Sequence, residues 1–270
     1  MRLVLVGSGS FIASHVKQCA QQAKIDILAL PHDAKFAGLL RKEDRLINFA
    51  RHPDFQNAPY DKAKDYDLKA AEIAAEKDAH FTMLSTRRVY SKAVKWGATE
   101  QSVSSGDETL YGRNKAASET AIQSLCPGSA VLRLSNIIGF EYAPVRPRKT
   151  FMGMMLDTLR TQGTITFDMS PDTAKDFLPV ETCAEAILRT ALSGKAGTFN
   201  LGSGLGTPCG ALATALMAGF GKGQLIAKSH EIYDAFFLNI DKWQSEFGHL
   251  QTQVSLIEYC MLLGRRLRDA

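Results

Sequence analysis

Short apolar runs alternate along the chain with longer segments whose apolar residues recur at helical spacing. Residues 2–6 form the first run, followed by a glycine-containing turn, a predicted helix over residues 11–23 and a strand over residues 26–30. Further strands are predicted over residues 46–50, 80–84 and 130–134, and helices over residues 62–77 and 110–125. Strands that alternate with helices are typical of a parallel sheet covered on both faces. The pattern therefore predicts an α/β fold.

Three side chains on or beside these predicted elements have complementary chemistry. Thr86 comes just after a predicted strand, whereas Tyr111 and Lys115 lie four apart in one predicted helix and so share a face. A free phenol titrates near ~10, but a fixed ammonium beside it favours the phenolate. A hydroxyl at a strand end can hold a substrate oxygen while a nicotinamide exchanges hydride with the carbon. The three residues are candidates for the catalytic group of a carbonyl–alcohol oxidoreductase, although a lone Tyr-x-x-x-Lys pair also occurs by chance.

The surrounding motifs resemble those of one family. The run Leu-Ser-Thr-Arg-Arg-Val-Tyr ends at residue 90, and Tyr-Gly-Arg-Asn-Lys spans residues 111–115. Residues 131–139, 175–181, 197–204 and 239–242 are similar to later family segments. The chain resembles the extended short-chain dehydrogenase/reductase family, the NAD-dependent epimerase/dehydratase group, and within it the nucleotide-sugar 4-ketoreductases. This implies a Rossmann-type doubly wound parallel sheet with a smaller C-terminal α/β substrate part.

The resemblance also implies roles for individual residues. Thr86 and Tyr111 would hold the keto oxygen, Tyr111 would donate the proton, and Lys115 would hold the cofactor ribose and tune the phenol. Asn136 corresponds to a substrate-binding asparagine, although a short polar side chain there also stabilises a turn. Arg87 is a candidate for orienting the sugar or its phosphates, and a solvated surface arginine explains it equally well.

The residues after Thr86 limit which reactions of the family this chain is expected to catalyse. Dehydratases of the family carry an acidic pair there, whereas this chain has Arg87 and Arg88. We therefore expect reduction of a 4-keto-6-deoxy sugar nucleotide. Two alternatives remain, namely a nucleotide-sugar C4 epimerase that retains NAD and a non-catalytic dinucleotide-binding regulatory protein. The second would have no chemical need for an intact Thr86, Tyr111 and Lys115.

The turn after the first strand departs from the family pattern Gly-x-x-Gly-x-x-Gly. Gly7, Ser10 and Ala13 occupy the glycine places, with an additional glycine at Gly9. Ser10 puts a Cβ where a pyrophosphate approaches the helix N-terminus, unless Gly9 reshapes the turn. An ordinary strand-to-helix connection explains such a turn as well, and Arg51 could simply belong to a loop cap. The candidate cofactor residues are Gly7, Gly9, Ser10, Phe11, Ile12, His32, Phe49, Ala50, Arg51, Tyr111 and Lys115.

The end of the second strand bears on the choice of cofactor. NAD-specific members place a carboxylate there, but here the strand ends without one. The 2′-phosphate of NADP(H) would meet His32, Lys35 or Arg41 there, so NADP(H) is favoured over NAD(H). Asp33 would favour NAD(H) instead if it occupied the position of the carboxylate in NAD-specific members. Residues 32–45 leave room for one helix but scarcely for the additional strand that the family usually has.

Composition agrees with a globular enzyme. The 270 residues are 45% hydrophobic, enough for a large core, and the net charge of +4 suits a phosphate-bearing substrate but not a nucleic-acid partner. The five cysteines have neither C-x-x-C nor metal-ligand spacing, which predicts reduced thiols and no metal site. The first strand leaves no room for a signal peptide and no apolar run reaches membrane-spanning length, so we expect a cytoplasmic protein.

Two parts and a dimer are expected from the resemblance. A dinucleotide-binding core would comprise residues 1–138 and 176–202, and a substrate part residues 139–175 and 203–270. Family members commonly dimerise through the helices that here span residues 62–77 and 110–125. The first of these carries small residues that would permit close packing between subunits, namely Ala70, Ala71, Ala74 and Ala75.

Overall fold

The structure is a computed structural model that describes residues 1–91, 94, 96–143, 145 and 149–270. Its strands are β1 (Leu3–Val6), β2 (Ile27–Leu30), β3 (Arg45–Asn48), β4 (His80–Thr86), β5 (Trp96–Ala98), β6 (Ala130–Leu134), β7 (Asn136–Ile138), β8 (Thr164–Phe167), β9 (Ala174–Lys175), β10 (Phe177–Pro179), β11 (Gly197–Leu201), β12 (Thr207–Pro208), β13 (Gln224–Ala227) and β14 (Phe237–Leu238). Its α-helices are α1 (Phe11–Gln22), α2 (Tyr66–Glu76), α3 (Leu110–Leu125), α4 (Phe151–Gln162), α5 (Val180–Ser193), α6 (Cys209–Phe220), α7 (Asp241–Phe247) and α8 (Leu256–Asp269).

The most apolar strands form the centre of a parallel sheet. β1 reads Leu-Val-Leu-Val with every residue buried, as expected for a strand covered on both faces. Within the described residues the sheet has six strands in the order β11-β6-β4-β3-β1-β2, all parallel. The carboxyl ends of the strands therefore meet at one edge, where Thr86 of β4 pairs with Leu134 of β6. The predicted α/β fold class is confirmed.

The strand β2 lies at the edge of the sheet because no strand intervenes between it and β3 in sequence. Residues 31–44 form turns instead. In them the Asp44 carboxylate accepts hydrogen bonds from the backbone N–H of Arg41 at 2.8 Å and from the Arg2 guanidinium at 2.7 Å, while Leu40 is buried. The expected lack of an additional strand is confirmed, but the helix for which the segment had room does not form, because these local bonds hold the chain in turns.

Helices cover both faces of the sheet. α1 and α5 pack together on one face, and α2 and α3 lie side by side on the other. Ala70, Ala71 and Ala74 of α2 are at most 1% exposed because they pack against the sheet of their own chain. This corrects the expectation that the alanine-rich side of α2 is a surface for a second subunit.

The helix α2 begins later than the pattern predicts. Lys62–Lys64 form a separate 3-10 turn, and Asp65 then caps α2 by accepting the backbone N–H groups of Asp67 and Leu68, both at 3.0 Å. Tyr60 donates its hydroxyl to Asp65 at 2.9 Å. An aspartate is a favoured N-cap, and this one is fully buried. The cap places Asp67 in the first turn of α2, facing the sheet.

The C-terminal half of the chain contributes a second apolar core. Leu156, Leu212 and Leu263 lie within it, on α4, α6 and α8 respectively. α6 and α8 approach each other closely, since a Cβ on Gly219 would clash with the carbonyl oxygen of Met261. The two helices therefore pack backbone against backbone.

The helix α7 packs against the sheet rather than against this second core. Trp243 of α7 is fully buried and donates its indole N–H to Thr190 Oγ1 of α5 at 3.0 Å. The predicted division of the chain into residues 1–138 with 176–202 and residues 139–175 with 203–270 stays a prediction. None of the helices in the described part of the chain has the length and apolar character needed to cross a membrane.

Candidate functional site

A cleft of about 1000 Å³, here called the main cleft, opens where the carboxyl ends of β1, β3 and β4 meet the N-terminus of α1. Parallel α/β sheets bind their ligands at this edge. The eleven candidate cofactor residues all line it: Gly7, Gly9, Ser10, Phe11, Ile12, His32, Phe49, Ala50, Arg51, Tyr111 and Lys115. The structure thus brings together residues from separate segments of the sequence.

The turn between β1 and α1 keeps its first glycine for a geometric reason. Gly7 has a φ of +75°, and a Cβ there would lie 2.8 Å from the backbone nitrogen of Ala50. Ser10 instead serves as the N-cap of α1, with its Oγ accepting the backbone N–H of Ala13 at 3.3 Å. The serine at the second glycine place therefore has a structural role of its own.

We expect Gly7→Ala to destabilise the protein, whereas Gly9→Ala should not. Alanine at Gly7 would combine a strained φ with a clash against the next loop, a cost of about 1–3 kcal/mol. A Cβ on Gly9 would meet nothing within 4 Å. Thermal unfolding of the two variants beside the wild type measures the difference. Equal melting temperatures for the two variants would contradict this account of the turn.

Tyr111 and Lys115 lie in the wall of the main cleft on one face of α3. Lys115 Nζ donates to Asp67 Oδ2 at 2.6 Å and to the carbonyl oxygen of Leu84 at 2.8 Å. The guanidinium carbon of Arg51 lies 5.4 Å from the centroid of the Tyr111 ring. The helix is thereby fixed to the end of β4, two residues before Thr86.

The charge of Lys115 is set by competing effects. Burial lowers the pKa of its ammonium, but the carboxylate of Asp67 and the side chain of Tyr111 outweigh burial, and the pKa is raised. The side chains of Lys115 and Asp67 are only 7% and 8% exposed. Lys115 is therefore a buried cation at neutral pH, held by a carboxylate that sequence reasoning did not identify.

Thr86 ends β4 beside the main cleft, but its neighbours Leu84 and Ser85 line the cleft and Thr86 does not. Its Oγ1 accepts the backbone N–H of Arg88 at 3.3 Å and caps the short 3-10 helix Arg87–Val89. Thr86 thus lies one residue past the lining of the main cleft, at the carboxyl end of β4.

A buried ion pair supports the end of β4 and the helix that carries Tyr111 and Lys115. Glu119, one turn after Lys115, accepts a hydrogen bond from Arg133 Nη2 of β6 at 2.7 Å and another from the hydroxyl of Ser85. Arg133 also donates to the hydroxyl of Tyr90 at 3.0 Å. These contacts fix α3 on the sheet, and the sequence signal for them was the series Tyr111, Lys115, Glu119 at four-residue spacing.

Arg87 lies outside the main cleft. It lines a second cavity of about 220 Å³, where its guanidinium pairs with both oxygens of Asp234 and lies 4.0 Å from the centroid of Phe236. Lys175 Nζ is 3.6 Å from the same carboxylate, and burial lowers its pKa. Asn136 begins β7 and is not part of the main cleft either, whereas the adjacent Ile137 is.

A third cavity of about 470 Å³ adjoins the main cleft and shares His32 with it. Lys35 and Asp33 line this adjoining cavity, but Arg41 does not. Three of the four residues proposed to discriminate between the two nicotinamide cofactors, His32, Asp33 and Lys35, thus line one cavity, with opposite charges side by side.

The cleft also contains residues that sequence reasoning missed. They include Asn48 at the end of β3, Asp67, Glu141 and Thr150. The position of Asn48 at a carboxyl strand end was a usable signal, whereas Asp67 looked like one more charge on a solvated helix. In the described residues no group of three or more histidine, cysteine or acidic side chains could hold a metal ion, and the five cysteines are free thiols.

Comparison with solved structures gives the fold independently of these residues. UDP-glucose 4-epimerase of Thermotoga maritima with UDP-glucose matches with a TM-score of 0.82 at 19% identity, covering 100% of this chain and 99% of the other. The NAD complex of UDP-glucose 4-epimerase from Thermus thermophilus gives 0.77 at 17% identity, covering 100% of both chains. An NAD-dependent NDP-hexosamine 5,6-dehydratase involved in tunicamycin biosynthesis gives 0.80 at 16% identity, covering 100% of this chain and 98% of the other.

Sequence comparison identifies the family. The chain is 30% identical over 149 residues to dTDP-4-dehydrorhamnose reductase of Mycobacterium tuberculosis, from strains CDC 1551/Oshkosh and ATCC 25618/H37Rv. The match covers 49% of this chain and 49% of each relative, so it spans about half the length of those reductases. The profile of the RmlD substrate binding domain matches residues 1–203. The chain therefore belongs to the RmlD substrate binding domain family, which confirms its resemblance to the extended short-chain dehydrogenases/reductases.

Proposed function

We propose that the protein is an NAD(P)H-dependent reductase of a nucleotide-linked 4-keto-6-deoxy sugar. The observation that carries the proposal is the pairing of Tyr111 and Lys115 in the wall of a 1000 Å³ cleft that also contains the glycine turn. The related dTDP-4-dehydrorhamnose reductases, named for a substrate of this class, support the reaction type.

The residues of the main cleft fit a nicotinamide dinucleotide. The N-terminus of α1, with its backbone N–H groups and dipole, would hold the pyrophosphate, and the lack of a Cβ at Gly7 keeps Ala50 close to the turn. Lys115 has three N–H donors and gives two of them to Asp67 and Leu84, which leaves one for a ribose hydroxyl. When bound, the cofactor supplies the hydride that reduces the carbonyl carbon.

Protein groups would then bind and protonate the carbonyl oxygen. Thr86 and Tyr111 would hold it from the rim and the wall of the cleft, and Tyr111 would donate its phenolic proton as the oxygen gains charge. Lys115 would keep the phenol oriented through its buried ammonium. Arg51, stacked near the Tyr111 ring, adds a second positive charge at the place where negative charge develops.

The surroundings of Thr86 favour reduction over dehydration. Arg87 and Arg88 follow it, and they pair with Asp234 and Asp107 respectively. Neither position offers a carboxylate to remove a proton from the sugar. Arg87, which lines the second cavity, and the neighbouring Lys175 share the carboxylate of Asp234, so among these three described side chains one positive charge is not neutralised. We propose that this charge faces the diphosphate of the substrate.

The preference for NADP(H) rests on the charges near the end of β2. His32 lines the main cleft and Lys35 lines the adjoining cavity. Lys35→Glu should raise the KM for NADPH about tenfold relative to that for NADH, corresponding to about 1.4 kcal/mol. Steady-state kinetics with both cofactors measures the ratio, with the exposed Lys24→Glu as control. A ratio unchanged by Lys35→Glu would remove Lys35 from cofactor selection.

The proposed activity is tested with a panel of nucleotide-linked 4-keto-6-deoxy sugars and NADPH, after the purified protein has been examined for retained NAD(H). We expect NADPH oxidation that depends on one of the sugars. Retained NAD with sugar interconversion and no net NADPH consumption would point to a C4 epimerase. Failure of both cofactors to bind at physiological concentration would remove the enzyme proposal and favour a regulatory protein.

We also propose a cytoplasmic homodimer that associates along α2 and α3. With three of its alanines buried against the sheet, α2 would contribute its outward polar side instead. Sedimentation equilibrium of the purified protein measures the assembly, and a monomer at micromolar concentration would exclude it.

A further inference from the structure

Lys115 does not act on the phenol as a lone cation. Its Nζ is 2.6 Å from Asp67 Oδ2, within a pair that is almost entirely removed from solvent. Asp67 belongs to α2 and lies 48 positions before Lys115 in sequence, so nothing in the Tyr-x-x-x-Lys spacing indicates it. The structure thus adds a carboxylate to the catalytic face of α3.

The Asp67 carboxylate is itself fixed. Asn48 Nδ2 donates to Asp67 Oδ1 at 2.8 Å and to the carbonyl oxygen of Ala50 at 2.9 Å, while Asn48 Oδ1 accepts the backbone N–H of Ala50 at 3.1 Å. Asp67 also lies in the first turn of α2, where the helix dipole favours an anion. Both oxygens therefore have a charged or polar partner, and the carboxylate has little freedom to turn away from Lys115.

A carboxylate in this place changes what Lys115 does to Tyr111. A lone ammonium favours the phenolate, which is the form that accepts a proton when an alcohol is oxidised. A carboxylate bound to that ammonium opposes its field and favours the neutral phenol, which is the form that donates a proton when a carbonyl is reduced. The sign of the effect agrees with the proposed direction of the reaction.

We infer that Asp67 is a positioning residue that acts through Lys115, fixing the ammonium and weakening its field at Tyr111 so that the phenol keeps its proton for carbonyl reduction. The catalytic part of this inference, the proton held for carbonyl reduction, rests on the proposed function. Its electrostatic content concerns Tyr111 itself, and it is therefore measurable without a substrate.

Other charged and titratable groups face the same place. α2 contributes Asp65, which caps the helix, and the segment between β3 and α2 contributes Arg51 and Tyr60. Burial raises the pKa of Tyr60, which keeps that phenol neutral at working pH. β4 contributes only a carbonyl oxygen to Lys115. Substitution of Asp67 leaves Asp65 and Arg51 in place, but it also changes the field at Lys115 and Tyr60, because Asp67 contributes to the raised pKa of both groups. The effect on Tyr111 is therefore isolated by comparison with Tyr111→Phe.

The first test is the pH dependence of kcat/KM for NADPH-dependent reduction by Asp67→Asn. Because removal of the carboxylate favours the phenolate, the limb on which activity falls with rising pH should move to lower pH by about one unit. Asp67→Glu keeps the charge and should retain the wild-type limb. Glu72→Gln removes an exposed carboxylate from the same helix and should also leave the limb in place.

The second measurement needs no turnover. The ultraviolet absorbance of tyrosinate is titrated in the wild type and Asp67→Asn, each against its Tyr111→Phe partner, so that the difference isolates Tyr111. Ionisation of Tyr111 should occur about one pH unit lower without the carboxylate. Asp67→Ser, which also removes the charge, serves if the asparagine variant does not fold.

The outcomes separate the inference from the proposed function. An unmoved limb and an unmoved absorbance titration, with activity lowered equally at every pH, would overturn the role of Asp67 and leave the reductase proposal standing. Wild-type protein that shows no NADPH-dependent turnover would overturn the proposed function. In that case the absorbance titration alone decides whether Asp67 controls Tyr111.

Discussion

Tyr111→Phe is expected to lower kcat/KM for NADPH-dependent reduction by about 10²–10⁴-fold, because the substitution removes the proposed proton donor. The phenyl ring keeps its place near Arg51, and the Lys115–Asp67 pair is untouched, so that binding of NADPH and the melting temperature should change little. Steady-state kinetics, fluorescence titration of NADPH and thermal unfolding measure the three quantities.

Tyr142→Phe is the matched control for this substitution, since it removes a phenol that lies outside the main cleft. It should leave kcat/KM at the wild-type value. Turnover that survives in Tyr111→Phe would remove Tyr111 from its assigned role. Loss of NADPH binding in the same variant would instead move Tyr111 from proton transfer to cofactor binding.

Lys115→Met should abolish measurable activity and also destabilise the fold by about 3–5 kcal/mol, because it leaves the buried carboxylate of Asp67 without its cation. Burial raises the pKa of Asp67, and Lys115 opposes that effect in the wild type. In the variant the folded protein therefore takes up a proton at a higher pH than the unfolded chain does. The destabilisation should be larger at neutral pH than in acid, and it should shrink as the pH falls from the raised pKa toward the pKa of the unfolded chain. Urea unfolding at several pH values measures it.

The double variant Lys115→Met with Asp67→Asn isolates the pair. Because it leaves no unpaired buried charge, it should regain most of the stability lost in Lys115→Met without regaining activity. Lys77→Met removes an exposed lysine at the end of α2 and should cost little. Equal instability of the single and double variants at neutral pH would show that Lys115 stabilises the fold by packing rather than by charge.

Elements with strong local signals were predictable from the sequence. α3 spans Leu110–Leu125 and β6 spans Ala130–Leu134, the bounds that the pattern predicted. Thr109 caps α3, and every residue of β6 is buried. The start of α2 was wrong because its cap, Asp65, is one of several charged residues in a short stretch, and only burial singles it out.

In the candidate site, too, local motifs were predictable from the sequence and contacts between distant segments were not. The glycine turn and the pair on α3 are local motifs, and the structure places both in the main cleft. Contacts between distant segments gave no signal in one sequence. Asp67 meets Lys115 across 48 positions, and Arg87 meets Asp234 across 147. Such pairs depend on which segments the sheet brings together. A charged residue such as Asp67 on a polar helix looks exposed to solvent in the sequence, so its buried partner is not predicted.

The proposed reaction is the transfer of hydride from a nicotinamide cofactor to C4 of a nucleotide-linked sugar. The most direct test is a single turnover with NADPH carrying deuterium at its transferable position and a nucleotide-linked 4-keto-6-deoxy sugar, followed by mass and NMR analysis of the sugar. The account predicts one deuterium at C4 of a product alcohol, formed together with oxidised cofactor. A sugar recovered without deuterium, with NADPH unconsumed, would contradict it.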